Sequence, residues 1–141
     1  MLEIGAGSGY MAALLSRHAR HVVTVEIEPE LQKLAEAILK TYVISNVTVA
    51  LGDAARGWAG SGSHAAPYDV IIVSGSLPVL PQSLLEQVKI GGRLLAIVGN
   101  APVMEACLVK RISADAWDTV TLFETSATPL RNAEAPSAFH F

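Results

Sequence analysis

Cysteine occurs once, as Cys107, so the 141-residue chain can form no internal disulfide and suits a reducing compartment. Basic residues are few: 10 Lys and Arg stand against 13 Asp and Glu, a net charge of −3. No Lys/Arg cluster interrupts that balance, so a nucleic-acid partner has no electrostatic support and none is expected. Membrane-length apolar runs are missing too. The strand-like runs Val70–Val73 and Leu94–Val98 hold four and five residues, far short of the roughly 20 that a spanning helix needs. They suit strands buried in a parallel sheet, and no membrane partner is expected. No basic stretch leads into an apolar one at the N-terminus, so no secretory signal is read and a cytoplasmic location is expected. His18 and His21 have H-x-x-H spacing but straddle a helix end and a strand start, with no Cys or third ligand near. No metal site is expected.

What the chain does have is glycine in one place. Gly5-Ala6-Gly7-Ser8-Gly9 follows directly on Leu2-Glu3-Ile4, a short apolar stretch carrying one acid. Glycines at a strand-to-helix turn accept positive φ and let the backbone approach a ligand without a Cβ in the way. The following helix would aim its N–H groups and positive dipole end at whatever is bound. Glu26 lies 17 positions past Gly9, at the end of a second apolar run, where a carboxylate can accept from both hydroxyls of a ribose. Loop and acid together indicate a nucleoside cofactor. A dinucleotide fingerprint, G-x-G-x-x-G/A, is not met, because Tyr10 fills the slot that wants a small residue. A P-loop is excluded, since no Gly-Lys-Ser/Thr follows.

Around these motifs strands and helices alternate. Strands are expected at Leu2–Ile4, Val22–Glu26, Val47–Leu51, Tyr68–Val73 and Arg93–Val98, with helices at Tyr10–His18, from Pro29 to Tyr42, and at Pro81–Val88. In the second helix Leu31, Leu34, Ala35, Ile38, Leu39 and Tyr42 make one apolar stripe at helical spacing, and Pro29 suits its first position. Such alternation predicts an α/β, doubly wound parallel sheet in one domain. The tail breaks the rhythm. Met104–Ile112 and Trp117–Thr125 read as strands joined by only Ser113-Ala114-Asp115-Ala116, too short for a parallel crossover, so the middle strand of the last three must run antiparallel. Residues 126–141 read as polar, aperiodic coil. Gly60-Ser61-Gly62-Ser63 reads as a flexible insertion, Trp58 and Trp117 as packing residues, and Cys107 as an inert buried thiol.

In order, Leu2–Tyr10, Val25–Leu31, Asn46–Val49, Gly52-Asp53, Pro67–Val73 and Leu84–Leu94 (with its Gly-Gly-Arg-Leu turn) resemble the protein-L-isoaspartate O-methyltransferase family of class I S-adenosyl-L-methionine-dependent methyltransferases. The resemblance runs from Met1 to about Leu130. It implies a Rossmann-like methyltransferase sheet of order 3-2-1-4-5-6-7 with strand 6 antiparallel, a methyltransferase domain over 1–130 and a C-terminal coil over 131–141. It implies S-adenosyl-L-methionine as cofactor and an isoaspartyl protein or peptide as substrate, in the repair of damaged aspartyl and asparaginyl sites.

For the site, the resemblance implies that Gly5, Ala6, Gly7 and Gly9 cradle the methionine part, with Glu3 near its amino group. Glu26 would take the ribose hydroxyls and Ile27 pack against adenine, while Asp53 accepts from the adenine amino group and the Ala54 N–H reaches a ring nitrogen. Ser74, at the end of strand four, would lie beside the transferable methyl. An activated methyl and an already ionised carboxylate need alignment more than acid–base help, so no catalytic residue is assigned.

Two features depart from the family. Its helical segment before strand one, with a Ser/Thr-Ile-Ser-type motif that holds the substrate carboxyl, is not within these 141 residues. The chain is then expected to be a fragment or a shortened member, poorly active alone, with apolar surface that favours self-association. Also, Ser74-Gly75-Ser76-Leu77-Pro78 stands where the family has smaller, alanine-rich residues. A non-catalytic cofactor-binding module and a methyltransferase of other specificity stay open as alternatives. A nicotinamide oxidoreductase is disfavoured by Tyr10, by Gly52-Asp53 after strand three and by the lack of a Tyr-x-x-x-Lys pair.

Overall fold

Seven strands form one sheet in the order β3-β2-β1-β4-β5-β6-β7 in the computed structural model, which describes residues 1–133. The strands are β1 (Leu2–Ile4), β2 (Val22–Glu26), β3 (Val47–Leu51), β4 (Tyr68–Leu77), β5 (Val88–Asn100), β6 (Val103–Ser113) and β7 (Ala116–Thr125). Three helices, α1 (Tyr10–Leu15), α2 (Pro29–Thr41) and α3 (Gln82–Leu85), lie between them. β1 to β5 pair in parallel, and β6 is antiparallel to both neighbours, as its short links require. This is the doubly wound sheet with a reversed sixth strand that the sequence predicts.

Several boundaries differ: β4 runs four residues past the expected Val73 to Leu77, which puts Ser74 inside the strand instead of at its end, and β5 runs two past Val98 to Asn100. At three others a longer-range partner claims the residues. The first helix stops at Leu15, three residues before the expected end at His18. There the chain tightens into bonds from the Arg17 N–H to Leu14 O and from the His18 N–H to Leu15 O. The Asn46 side-chain amide then donates to Ser16 O at 2.8 Å and Ala19 O at 3.1 Å, satisfying carbonyls near the helix end. The expected helix Pro81–Val88 shrinks to Gln82–Leu85 because Gln87 O accepts from the Tyr68 N–H and Val88 pairs with Tyr68. β5 starts at that pair, five residues ahead of Arg93, and takes in Gly91-Gly92 as an irregularity where the register jumps from Tyr68↔Val88 to Val70↔Arg93. A Cβ on Gly92 would sit 2.7 Å from the carbonyl oxygen of Asp69, so only glycine lets the strands approach.

The two faces of the sheet are covered unequally. On one, Leu2, Ile71, Leu94 and Val109 line up across β1, β4, β5 and β6 at no more than 1% exposure, under Leu84 and Trp58. On the other, α1 and α2 bury Ala12, Ala35 and Leu39 over β2 and β3, but the row Ile72–Leu95–Leu108–Val120 continues beyond them. Leu95 is 36% and Val120 50% exposed there. Trp117 packs at the sheet edge with its indole N–H on Leu85 O and Arg111 over its ring. Cys107 is buried.

Candidate functional site

Parallel strands place their C-terminal ends at one edge, and a ligand crevice belongs where the chain crosses over between them. At that edge Gly5, Gly7 and Gly9 take φ of +92°, +52° and +85°, backbone that L side chains rarely adopt. A Cβ on Gly9 would lie 3.4 Å from Ala35, an ordinary contact, so it is the positive φ that favours glycine there. The loop is tied from within: the N–H groups of Gly5 and Ala6 donate to Val25 O, that of Gly7 to Glu26 Oε1 and that of Gly9 to Ala6 O. These four loop N–H groups are therefore spent inside the protein. What the loop offers is close approach, with nothing within 4 Å of the Cβ position of Gly7.

Glu26 ends β2 at 6% exposure. Its Oε1 accepts from the Gly7 N–H and its Oε2 from the Glu28 N–H, each at 3.0 Å. Each carboxylate oxygen keeps a further lone pair for a ligand. Gly52 follows β3, its N–H on Glu26 O. Asp53 Oδ1 accepts from the Ala55 N–H at 3.0 Å.

Seven of the ten residues singled out from sequence (Gly5, Gly7, Glu26, Ile27, Asp53, Ala54 and Ser74) line one cavity of about 420 Å³ at this edge, within the usual size range for small-molecule sites. Ala6, Gly9 and Glu3 do not line it; they sit behind the wall. Glu3 is fully buried, with Oε2 accepting from Ser74 Oγ at 2.6 Å and Oε1 from Thr24 Oγ1 at 2.7 Å. Burial raises its pKa above the ordinary 4.5, the two hydroxyls pull it back, and the charge of Glu26 pushes it up again. An acid whose folded pKa is raised contributes stability that is full below its unfolded pKa and lost as pH rises through the folded one. Glu3→Gln removes that loss. Its denaturation midpoint should fall less than that of the parent chain as pH rises from 4.5 toward neutrality, and parallel curves for the two proteins would contradict this.

The fourth wall was not legible from sequence. Residues 126–133, expected as surface coil, return across the mouth: the Ser76 N–H donates to Thr128 O and the Leu130 N–H to Ser76 O, both at 2.9 Å. Leu130 fills the space over Gly75, where a Cβ would meet it at 2.7 Å. Arg131 pairs with Glu28, and Asn132 Nδ2 donates to Asp53 Oδ2 at 3.1 Å. Asn132 has φ +59°, which asparagine tolerates. The only signals were Leu130, the one large apolar side chain among residues 126–133, and the small residues Gly75 and Ser76 opposite it. The rest of the expected 131–141 coil lies outside the described residues.

A larger cavity, about 580 Å³, opens at the opposite edge beside Met1, His21, His64 and Tyr68. His21 stacks on His64 at 3.8 Å, and burial, then the charge of His64, lowers its pKa. That edge carries neither the glycine loop nor the strand-end acids.

Comparison with known proteins agrees with this geometry. The profile of the protein-L-isoaspartate(D-aspartate) O-methyltransferase family matches residues 1–134. The protein-L-isoaspartate O-methyltransferase of Protochlamydia amoebophila is 44% identical over 118 residues, 84% of this chain and 53% of the relative. That of Pelotomaculum thermopropionicum is 38% identical over 134 residues, 95% and 57% of the two chains. The chain thus spans about half the length of the curated relatives it matches. A solved protein-L-isoaspartate O-methyltransferase superposes with a TM-score of 0.83 at 28% identity, over 95% of this chain and 42% of that one. A Plasmodium falciparum protein of that description, solved with S-adenosyl-L-homocysteine, shares the fold at a TM-score of 0.71 and 17% identity, over 92% and 64%. With a profile match over nearly its whole length and a sheet of the same order, the chain belongs to the protein-L-isoaspartate(D-aspartate) O-methyltransferase family.

Proposed function

We propose that this chain binds S-adenosyl-L-methionine in the 420 Å³ cavity and serves methyl transfer to the carboxylate of isoaspartyl residues in proteins or peptides. The observation that carries the reading is the convergence of Gly5, Gly7, Glu26, Asp53 and Ser74, from the ends of β1, β2 and β3 and from within β4, on one cavity. The donor set fits the cofactor: a carboxylate that lines the cavity for vicinal hydroxyls, an acid after β3 for an amino group, and a glycine loop that permits close contact. Gly5 and Gly7 would border the methionine part with Ala6 and Gly9 shaping the loop behind them, Glu26 would hold the ribose, and Ile27, Asp53 and Ala54 the adenine. Ser74 would face the reacting end. When bound, the sulfonium supplies an already activated methyl group. The chain's part is to orient and to exclude water, and alignment of that kind is worth roughly 7–11 kcal/mol in favourable systems.

No helix among the described residues is long and apolar enough to cross a membrane. A cytoplasmic setting, the absence of a nucleic-acid partner and self-association through the open sheet face belong to the same proposal.

Calorimetry should show binding of S-adenosyl-L-homocysteine and none of NAD, and labelled cofactor should label an isoaspartyl peptide in preference to its aspartyl counterpart. Binding of NAD in place of the adenosyl ligand would overturn the cofactor assignment. Adenosyl binding with no label on the peptide would leave a cofactor-binding module.

Asn132 bears on the same site, because its amide donor holds the Asp53 oxygen that an adenine amino group would use. Asn132→Ala should tighten S-adenosyl-L-homocysteine binding about two- to tenfold, the worth of one net hydrogen bond of about 0.5–1.5 kcal/mol. Weaker binding would show that Asn132 contacts the ligand instead of competing with it.

A further inference from the structure

Glu3 and Glu26 are both buried, at 0% and 6% exposure, and close enough that the charge of one raises the pKa of the other. Among the described residues the salt bridges are Lys89–Asp69 and Arg131–Glu28, so neither acid has a cationic partner among them. Buried charges are normally paired. Glu26 reaches the cavity directly, while Glu3 does not line it. Both Glu3 oxygens are held by hydroxyls, Thr24 from β2 and Ser74 from β4. Thr24 is itself sealed, but Ser74 is exposed and lines the cavity. A serine hydroxyl has one proton and two lone pairs. At 2.6 Å from a carboxylate oxygen that proton is committed to a charge-assisted bond, and the lone pairs are all that remain for a ligand. The bond also polarises the hydroxyl oxygen, so part of the Glu3 charge is felt at the cavity wall.

We propose that Ser74 is the ammonium-selecting residue of this cavity, an obligate acceptor that receives the α-ammonium of the cofactor, and that Glu3 is its positioning residue, acting only through it. The inference rests on the cavity being the cofactor site. It replaces direct contact by Glu3 with a two-residue relay. A Ser74 oriented in this way favours cationic N–H donors and disfavours anions, since it has no proton to offer a carboxylate.

The test compares S-adenosyl-L-homocysteine with its desamino analogue, in which hydrogen replaces the amine, by calorimetry on the 141-residue chain. The parent should prefer the amine-bearing ligand by about tenfold to a hundredfold, the size of a hydrogen bond to a charged group. Ser74→Ala should abolish that preference by weakening only the amine-bearing ligand, and Ser74→Thr, which keeps the hydroxyl, should restore it. Glu3→Gln removes the charge and leaves one carbonyl oxygen for the two hydroxyls, and should reduce the preference without changing affinity for the desamino ligand. It also decides the matter if Ser74→Ala does not fold. A preference that survives Ser74→Ala, or survives Glu3→Gln, overturns the relay while the cofactor assignment stands. Equal loss for both ligands in Ser74→Ala overturns it as well. Failure of the parent to bind either ligand overturns the cofactor assignment itself.

Discussion

Replacing Glu26 by alanine should weaken S-adenosyl-L-homocysteine binding by about 1.5–3 kcal/mol, tenfold or more in Kd, the usual size of a hydrogen bond to a charged group. Position in sequence alone makes this residue a ligand-facing strand end whose loss leaves the fold little changed. The structure adds a cost. Its two oxygens hold the N–H groups of Gly7 and Glu28, which shape the glycine loop and the entry to α2. Without the carboxylate these part-buried donors lose their acceptor, at about 1–3 kcal/mol. Denaturation and calorimetry on the same Glu26→Ala sample should therefore show both losses. Normal affinity beside reduced stability would make Glu26 a structural residue. Reduced affinity at unchanged stability would mean that the loop keeps its shape without it.

Leu94→Ala should cost about 2–5 kcal/mol of stability, the range for deleting a large buried side chain, whereas Leu95→Ala should cost much less. The two leucines are neighbours on β5, and successive side chains on a strand point to opposite faces. Leu94 is 0% exposed between Ile71 and Val109, at the centre of the covered face. Leu95 is 36% exposed, in the row with Ile72 and Leu108 that the helices do not reach. The same row is the surface proposed for self-association. Leu95→Lys should therefore lower the sedimentation-average mass of the 141-residue chain while leaving its denaturation midpoint near that of the parent. Equal losses from the two alanine variants would show that the second face is covered in solution. An oligomeric mass unmoved by Leu95→Lys would place any self-contact elsewhere.

Most of the frame was legible before any coordinates. The period of α2 placed Ala35 and Leu39 against the sheet, but Leu31, Leu34 and Tyr42 of the same expected stripe are 39%, 46% and 73% exposed, since a helical period marks a face and not how far the sheet beneath it reaches. The glycines of Gly5–Gly9 marked a turn that needs positive φ, and the four-residue link Ser113–Ala116 forced an antiparallel strand. Each of these is a local constraint, since φ, side-chain period and the reach of a short loop depend on a few adjacent residues. The same reasoning carried seven of the ten chosen residues to one cavity, because strand ends in a parallel sheet must share an edge.

What only the tertiary structure decided is long-range. The bond from Ser74 to Glu3 spans 71 positions and that from Asn132 to Asp53 spans 79. No periodicity reports a partner at such distance. A carboxylate read as ligand-facing was sealed because two hydroxyls from neighbouring strands reached it first, and a tail read as coil became a wall because Gly75 left room for Leu130. Helix α3 lost its last turn to a strand pairing with Tyr68. In each case the local preference was intact, and a competing partner brought close by the folded chain satisfied the same groups better.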